Sequence, residues 1–208
     1  MTNVAPRLGD RSLFPALTPR AYLNHAAVSP LSLPVLRAMQ GVLDHYARSG
    51  LGGAVEERLA LEDVRGKLAR LIGAEAREIG FVQSTTAGVI AIARSIAFRP
   101  GERIVLFEGE FPANVTPFQR VAEDLGLHIA FVPLAPFQRS PEEGLLALDA
   151  ELARGARLVA VSAVEFQTGL RTPLAEIAQR CHAHGAELFV DGIQSMGGVA
   201  LDVKALDI

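Results

Sequence analysis

Four short segments carry the residues able to do chemistry. They are Gln83-Ser84-Thr85-Thr86-Ala87-Gly88, Glu108-Gly109-Glu110-Phe111-Pro112-Ala113-Asn114, Glu165-Phe166-Gln167-Thr168-Gly169 and Asp191-Gly192-Ile193-Gln194. Asp191 closes the apolar run Leu188-Phe189-Val190. A carboxylate there is poorly solvated and costly unless a cation or several donors meet it. A protonated ring nitrogen, a ribose hydroxyl and a metal ion are the partners that fit, and Gln194 offers an amide close by. No His/Cys/Asp cluster with ligand spacing accompanies Asp191, which argues against metal. Ser84, Thr85 and Thr86 precede a helical pattern, where free N–H groups and the helix dipole favour an anion. The same residue types are preferred N-caps. Phe111 is held in an extended turn by Pro112, and its ring can stack on a flat ligand or pack beneath its own loop. The phosphate motifs G-x-G-x-x-G after a strand and G-x-x-x-x-G-K-[ST] are absent.

The elements that must position these residues follow from hydrophobic periodicity. Strands are expected at Ile79–Val82, Arg103–Glu108, His128–Pro133, Arg157–Val164 and Glu187–Asp191, and helices at Thr86–Phe98, Val115–Leu125, Pro141–Ala153 and Pro173–His184. Pro173 suits a first helical position, and Gly126 and Gly185 suit helix stops. Near-continuous apolar strands separated by helices predict an α/β fold, a mostly parallel sheet with helices on both faces. Ligands of such sheets bind beyond the carboxyl ends of the strands, where all four polar segments fall. The opposite ends carry ordinary turns such as Arg99-Pro100-Gly101.

Residues 1–31 read as an amino-terminal arm broken by Pro6, Pro15, Pro19 and Pro30, and 32–208 as the body. Within the body, a helix capped by Ser32 runs to about Ala47, with Val35, Leu36, Met39, Val42, Leu43 and Tyr46 on one face. Gly50-Leu51-Gly52-Gly53 reads as a flexible break, and a second helix, marked by Val55, Leu59, Val64, Leu68, Leu71 and Ile72, ends at Gly73.

The net charge of −3 and the lack of any basic cluster argue against nucleic acid and membrane surfaces as partners. Cys181 is the single cysteine, so an intrachain disulfide is excluded and a reducing compartment fits. No signal peptide or membrane-spanning run is read, and the expected location is cytoplasmic. Only two of the 20 Lys and Arg residues are lysines, Lys67 and Lys204.

The segments Tyr22-Leu23-Asn24-His25-Ala26-Ala27, Ser84-Thr85-Thr86-Ala87-Gly88, Glu110 to Phe118, Thr168-Gly169 and Val190-Asp191-Gly192-Ile193-Gln194, in that order, resemble the class-V aminotransferase family. These are pyridoxal-phosphate (PLP) enzymes that include cysteine desulfurases, kynureninase and isopenicillin-N-epimerase-like proteins. The resemblance implies that 32–208 is the amino-terminal part of the large domain of a fold-type I enzyme, without its small carboxyl-terminal domain. It implies PLP as cofactor, with Thr85 and Thr86 on the phosphate and Phe111 stacked on the pyridine ring. Asp191 would pair with the ring nitrogen and keep it protonated as an electron sink, and Gln194 would donate to the phenolic oxygen. His25 would line the substrate pocket and Arg171 would meet a substrate carboxylate. The implied activity is transamination, desulfuration, elimination or epimerisation of an amino acid or related amine, in a homodimer.

The sequence departs from the family in three places. The Schiff-base lysine of the family follows a histidine after the next strand, and Ala205–Ile208 reads as the start of that strand; neither Lys67 nor Lys204 matches. The expectation is therefore a truncated enzyme with no catalytic residue in this chain, inactive alone and either poorly soluble or in need of a partner. The alternative is a lysine-less remnant that binds PLP non-covalently or acts only as an interaction module. The catalytic cysteine loop of the desulfurases is also missing, and Cys181 reads as a packing residue on a helix. Finally, Glu165-Phe166 stands where many members have Ser-Asn, leaving Glu165 or Gln167 to replace the asparagine contact.

Overall fold

The computed structural model describes residues 10–208; the part of the expected arm at 1–9, and the side chains of Val55 and Glu56, lie outside the described residues. Two helices open the described chain, α1 (Leu33–Ser49) and α2 (Leu51–Leu71). The chain divides into two compact units, one ending at Val64 and the other Arg65–Ile208, with the boundary inside α2. The expected break at Gly50–Gly53 is only one residue wide, because α2 begins at Leu51. Gly53 explains this: a Cβ there would stand 2.9 Å from the His45 ring, so the glycine serves a close approach of α2 to α1. Pro34 in the first turn suits a helix start, and α1 buries none of its residues; the expected apolar face, including Leu36, Met39 and Leu43, is exposed.

The second unit is built on four parallel strands, β1 (Arg103–Phe107), β2 (His128–Val132), β3 (Leu158–Ser162) and β4 (Glu187–Asp191), in the order β2-β1-β3-β4. The expected α/β class and four of the five expected strands are present. Ile79–Val82 forms no strand: it joins no ladder, and Phe81 and Val82 lie exposed. An apolar run becomes a strand only where a neighbour supplies backbone partners.

Alternate strand residues feed opposite faces, as the two-residue pleat requires. Val105, Phe107, Val159 and Val161 pack with α5 (Leu134–Arg139), α6 (Pro141–Leu152) and α7 (Leu174–Ala183), through Phe137, Leu148 and Ile177. Ile104, Leu106, Leu158 and Ala160 pack with α3 (Thr85–Ser95) and α4 (Thr116–Leu125), through Val89, Ala93, Phe118 and Val121. The short α5 is an element the periodicity does not reveal. Gly144 of α6 meets it, since a Cβ there would lie 2.1 Å from the Phe137 ring.

The topology also creates a crevice. The chain leaves β1 for β2 on one side, then returns past β1 to place β3 on the other. β1 pairs with β2 over its whole length, from Arg103↔His128 to Phe107↔Val132, but with β3 only at Ile104↔Leu158 and Val105↔Val159. The strands part at their carboxyl ends where the strand order reverses, which is where such sheets bind ligands.

Candidate functional site

Three exit loops and one helix start meet at this carboxyl edge. Beyond β1 the ladder continues for one bond, Glu108 N–H to the Val132 carbonyl at 2.9 Å. Gly109 then takes a left-handed turn (φ 80°), which glycine adopts without strain. Glu110 turns inward and Phe111 outward, 49% exposed, ahead of a 3-10 turn at Pro112–Asn114. The Glu110 carboxylate accepts the Ser162 amide at 2.5 Å, the Ser162 hydroxyl, and the Asn114 side-chain amide at 3.0 Å. Burial pushes its carboxyl above the ordinary 4.5 against the pull of those donors, and the charge of Asp191 adds to the rise.

Ser162 ends β3 opposite Asp191 on β4. Asp191 is 6% exposed; its backbone carbonyl accepts from Ala163 and its Oδ1 accepts from the Ile193 amide, each at 2.9 Å. Among the described residues no Lys, Arg or His pairs with it. Gln194, half-buried, follows on the same turn. Phe111 packs edge-on against Phe166 of the loop after β3, with ring centroids 5.2 Å apart.

At the start of α3, Ser84 Oγ accepts the Ala87 amide at 3.1 Å and the Ser84 carbonyl accepts the Gly88 amide at 3.0 Å. Ser84 is thus the N-cap, and the amides of Thr85 and Thr86 are left without a helical acceptor. Thr86 and Phe111 line one cleft of about 480 Å³ together with Ile90, Arg94, Thr116 and Arg120. The structure therefore brings Thr85, Thr86, Phe111, Asp191 and Gln194 to one edge of the sheet.

Arg171, exposed, bridges back to Val164 and lines a separate cavity of about 840 Å³ with Ser195 and Met196. His25 belongs to the other unit, where its Nδ1 lies 3.1 Å from Ser29 Oγ and its ring meets Tyr22 edge-on. Glu165 is 3% exposed and fully engaged by its own loop, accepting the amides of Gln167 (3.0 Å) and Thr168 (2.6 Å) and the Thr168 hydroxyl (2.7 Å). Cys181 is wholly buried in the core, and burial pushes its thiol up to about 12, so it is a packing residue. Lys204 pairs with Glu78 at 2.8 Å. Sequence reasoning passed over Glu110. Its one local signal is the spacing to Asn114, four residues on; the crevice it enters depends on strand order.

The sequence profile of the Aminotransferase class-V family matches residues 21–208. The chain belongs to the class-V aminotransferase family. Among its class-V relatives are a cysteine desulfurase of Dickeya dadantii, 38% identical over 91% of this chain and 47% of its own length, and one of Enterobacter sp., 33% identical over 95% and 51%. The chain spans about half the length of the curated relatives it matches. Of solved structures, a mutant of C-DES with glycine covalently linked to its PLP cofactor superimposes with a TM-score of 0.87 at 25% identity, covering 96% of this chain and 53% of that one. The apo cysteine desulfurase of Thermococcus onnurineus NA1 gives 0.75 at 27% identity, covering 89% and 47%.

Proposed function

We propose that this chain forms the cofactor cradle of a PLP enzyme of the cysteine-desulfurase type, acting on a small amino acid, cysteine foremost. The observation that carries the reading is Asp191. A carboxylate so deeply buried, served by one amide and by no cation among the described residues, calls for a positive partner. The protonated nitrogen of a pyridine ring supplies it. Two further observations fit the same group. The open amides and hydroxyls of Thr85 and Thr86 at a helix start suit a phosphate, and Phe111 presents an exposed ring between the two positions in the chain.

Bound in this cradle, PLP supplies an electron sink for bonds at the substrate α-carbon. The chain's own residues do the holding. Asp191 would keep a proton on the ring nitrogen, Thr85 and Thr86 would hold the phosphate, Phe111 would stack on the ring, and Gln194 would donate to the phenolic oxygen. Lys204 is paired with Glu78 and Lys67 lies on α2, so the cradle residues named here would hold the cofactor by non-covalent contacts.

Titration of PLP into the wild type and Asp191→Ala, followed by cofactor absorbance, tests the reading. Loss of a buried charge partner is expected to weaken binding by more than about tenfold. Equal binding by both proteins, or none by the wild type, would overturn it.

A further inference from the structure

Parallel strands that part leave backbone groups without partners, and β3 shows how one is served. The Ala163 amide donates to Asp191 on β4, so the Ser162 amide, one residue earlier, faces the β1 side. β1 has already lost its ladder with β3 by then, the last pair being Val105↔Val159. Glu110 stands in for the missing strand. Its Oε1 takes the Ser162 amide, and its Oε2 takes both the Ser162 hydroxyl and the Asn114 side-chain amide. One side chain thereby joins the two walls of the crevice. It also ties both ends of the segment that presents Phe111, since Asn114 closes the 3-10 turn through its own amide to the Phe111 carbonyl at 2.8 Å.

We infer that Glu110 is a positioning residue: it spans the crevice between β1 and β3 and fixes the distance from the Phe111 ring to the strand end bearing Asp191. The inference rests on the reading of Phe111 and Asp191 as the stacking and ring-nitrogen contacts of PLP, and it adds a group that touches neither ring nor phosphate. Reach, rather than charge alone, is what the clamp requires. Aspartate, one methylene shorter, cannot join both walls, whereas glutamine keeps the length and an oxygen for the Ser162 amide.

Two measurements on the full chain separate the clamp from the cofactor reading. The first needs no ligand: hydrogen exchange of the segment 109–116 and of the Ser162 amide. Glu110→Ala and Glu110→Asp should exchange there about tenfold faster than wild type, with Glu110→Gln restored most of the way, while β4 stays protected. Unchanged exchange in folded Ala and Asp variants overturns the clamp. Should the alanine variant fail to fold, the aspartate and glutamine pair carries the comparison. The second is a double-mutant cycle on PLP affinity. Glu110→Asp should weaken binding about fivefold to tenfold in the wild type, and by little in a Phe111→Ala background, because the clamp acts through that ring. Equal losses in both backgrounds overturn positioning through Phe111. Faster exchange in the Glu110 variants, together with a wild type that binds no PLP, overturns the cofactor reading and the role given to the clamp, leaving only a structural tie.

Discussion

The loop after β1 and the loop after β3 each turn a glutamate inward, yet the two use their oxygens differently. Among the described residues Glu165 accepts from its own loop, chiefly the amides of Gln167 and Thr168 and the Thr168 hydroxyl, and Gly169 (φ 71°) closes that turn back to its carbonyl. Glu110 accepts across the crevice from a strand 52 residues away. Burial alone would raise both carboxyls. Around Glu165 the amides of Gln167 and Thr168 and the Thr168 hydroxyl outweigh it and hold the group below its ordinary 4.5, while around Glu110 burial and the nearby Asp191 prevail. A locally satisfied carboxylate builds a turn; a remotely satisfied one sets a distance.

The sharpest test of that contrast is Glu165→Ala. It strands two loop amides and a hydroxyl, so it should cost about 2–3 kcal/mol in denaturant unfolding while leaving PLP affinity as in the wild type. A loss of affinity matching that of the Glu110 variants would erase the distinction between the loops.

The pH dependence should split the pair next. Glu165, depressed in the fold, contributes stability that is present above about 4.5 and is lost as the pH falls through its folded value. Glu110, raised in the fold, does the reverse: the fold binds its proton more tightly, so its contribution declines as the pH climbs from about 4.5 through its folded value. Relative to wild type, Glu110→Gln should therefore gain stability from pH 4 to pH 7 as Glu165→Gln loses it, read from unfolding midpoints at each pH. Parallel slopes would mean that the two sites share one environment. The smallest effect is expected of Ser162→Ala, which removes one of the donors to Glu110 and should cost about 1 kcal/mol, with the amide bond to the strand retained.

Much of the scaffold was legible because its signals are local. β1, β2 and β4 lie within a residue of their expected limits, α6 and α7 likewise, and Gly126 and Gly185 stop helices in left-handed turns at φ 67° and 71°. The signals failed where a distant partner decides. Ile79–Val82 has strand composition but no ladder, and Gly52-Gly53 reads as a break until His45 is seen beside it. The site divides the same way. Asp191, Gln194 and the Ser84–Thr86 run stand where apolar strand and cap patterns point. Glu110 gains its meaning only from the order β2-β1-β3-β4, which no window of sequence contains. Glu165, weighed as a replacement for the asparagine contact, is instead consumed by its own turn.

Cys181 has a practical consequence. As the chain's single thiol, sealed between α7 and the sheet and held far from its thiolate form, it is inert toward alkylating reagents while the core is closed. Labelling at that one sulfur is then a clock for opening of the nucleus on which the whole carboxyl edge is mounted, and it runs without any added reporter group.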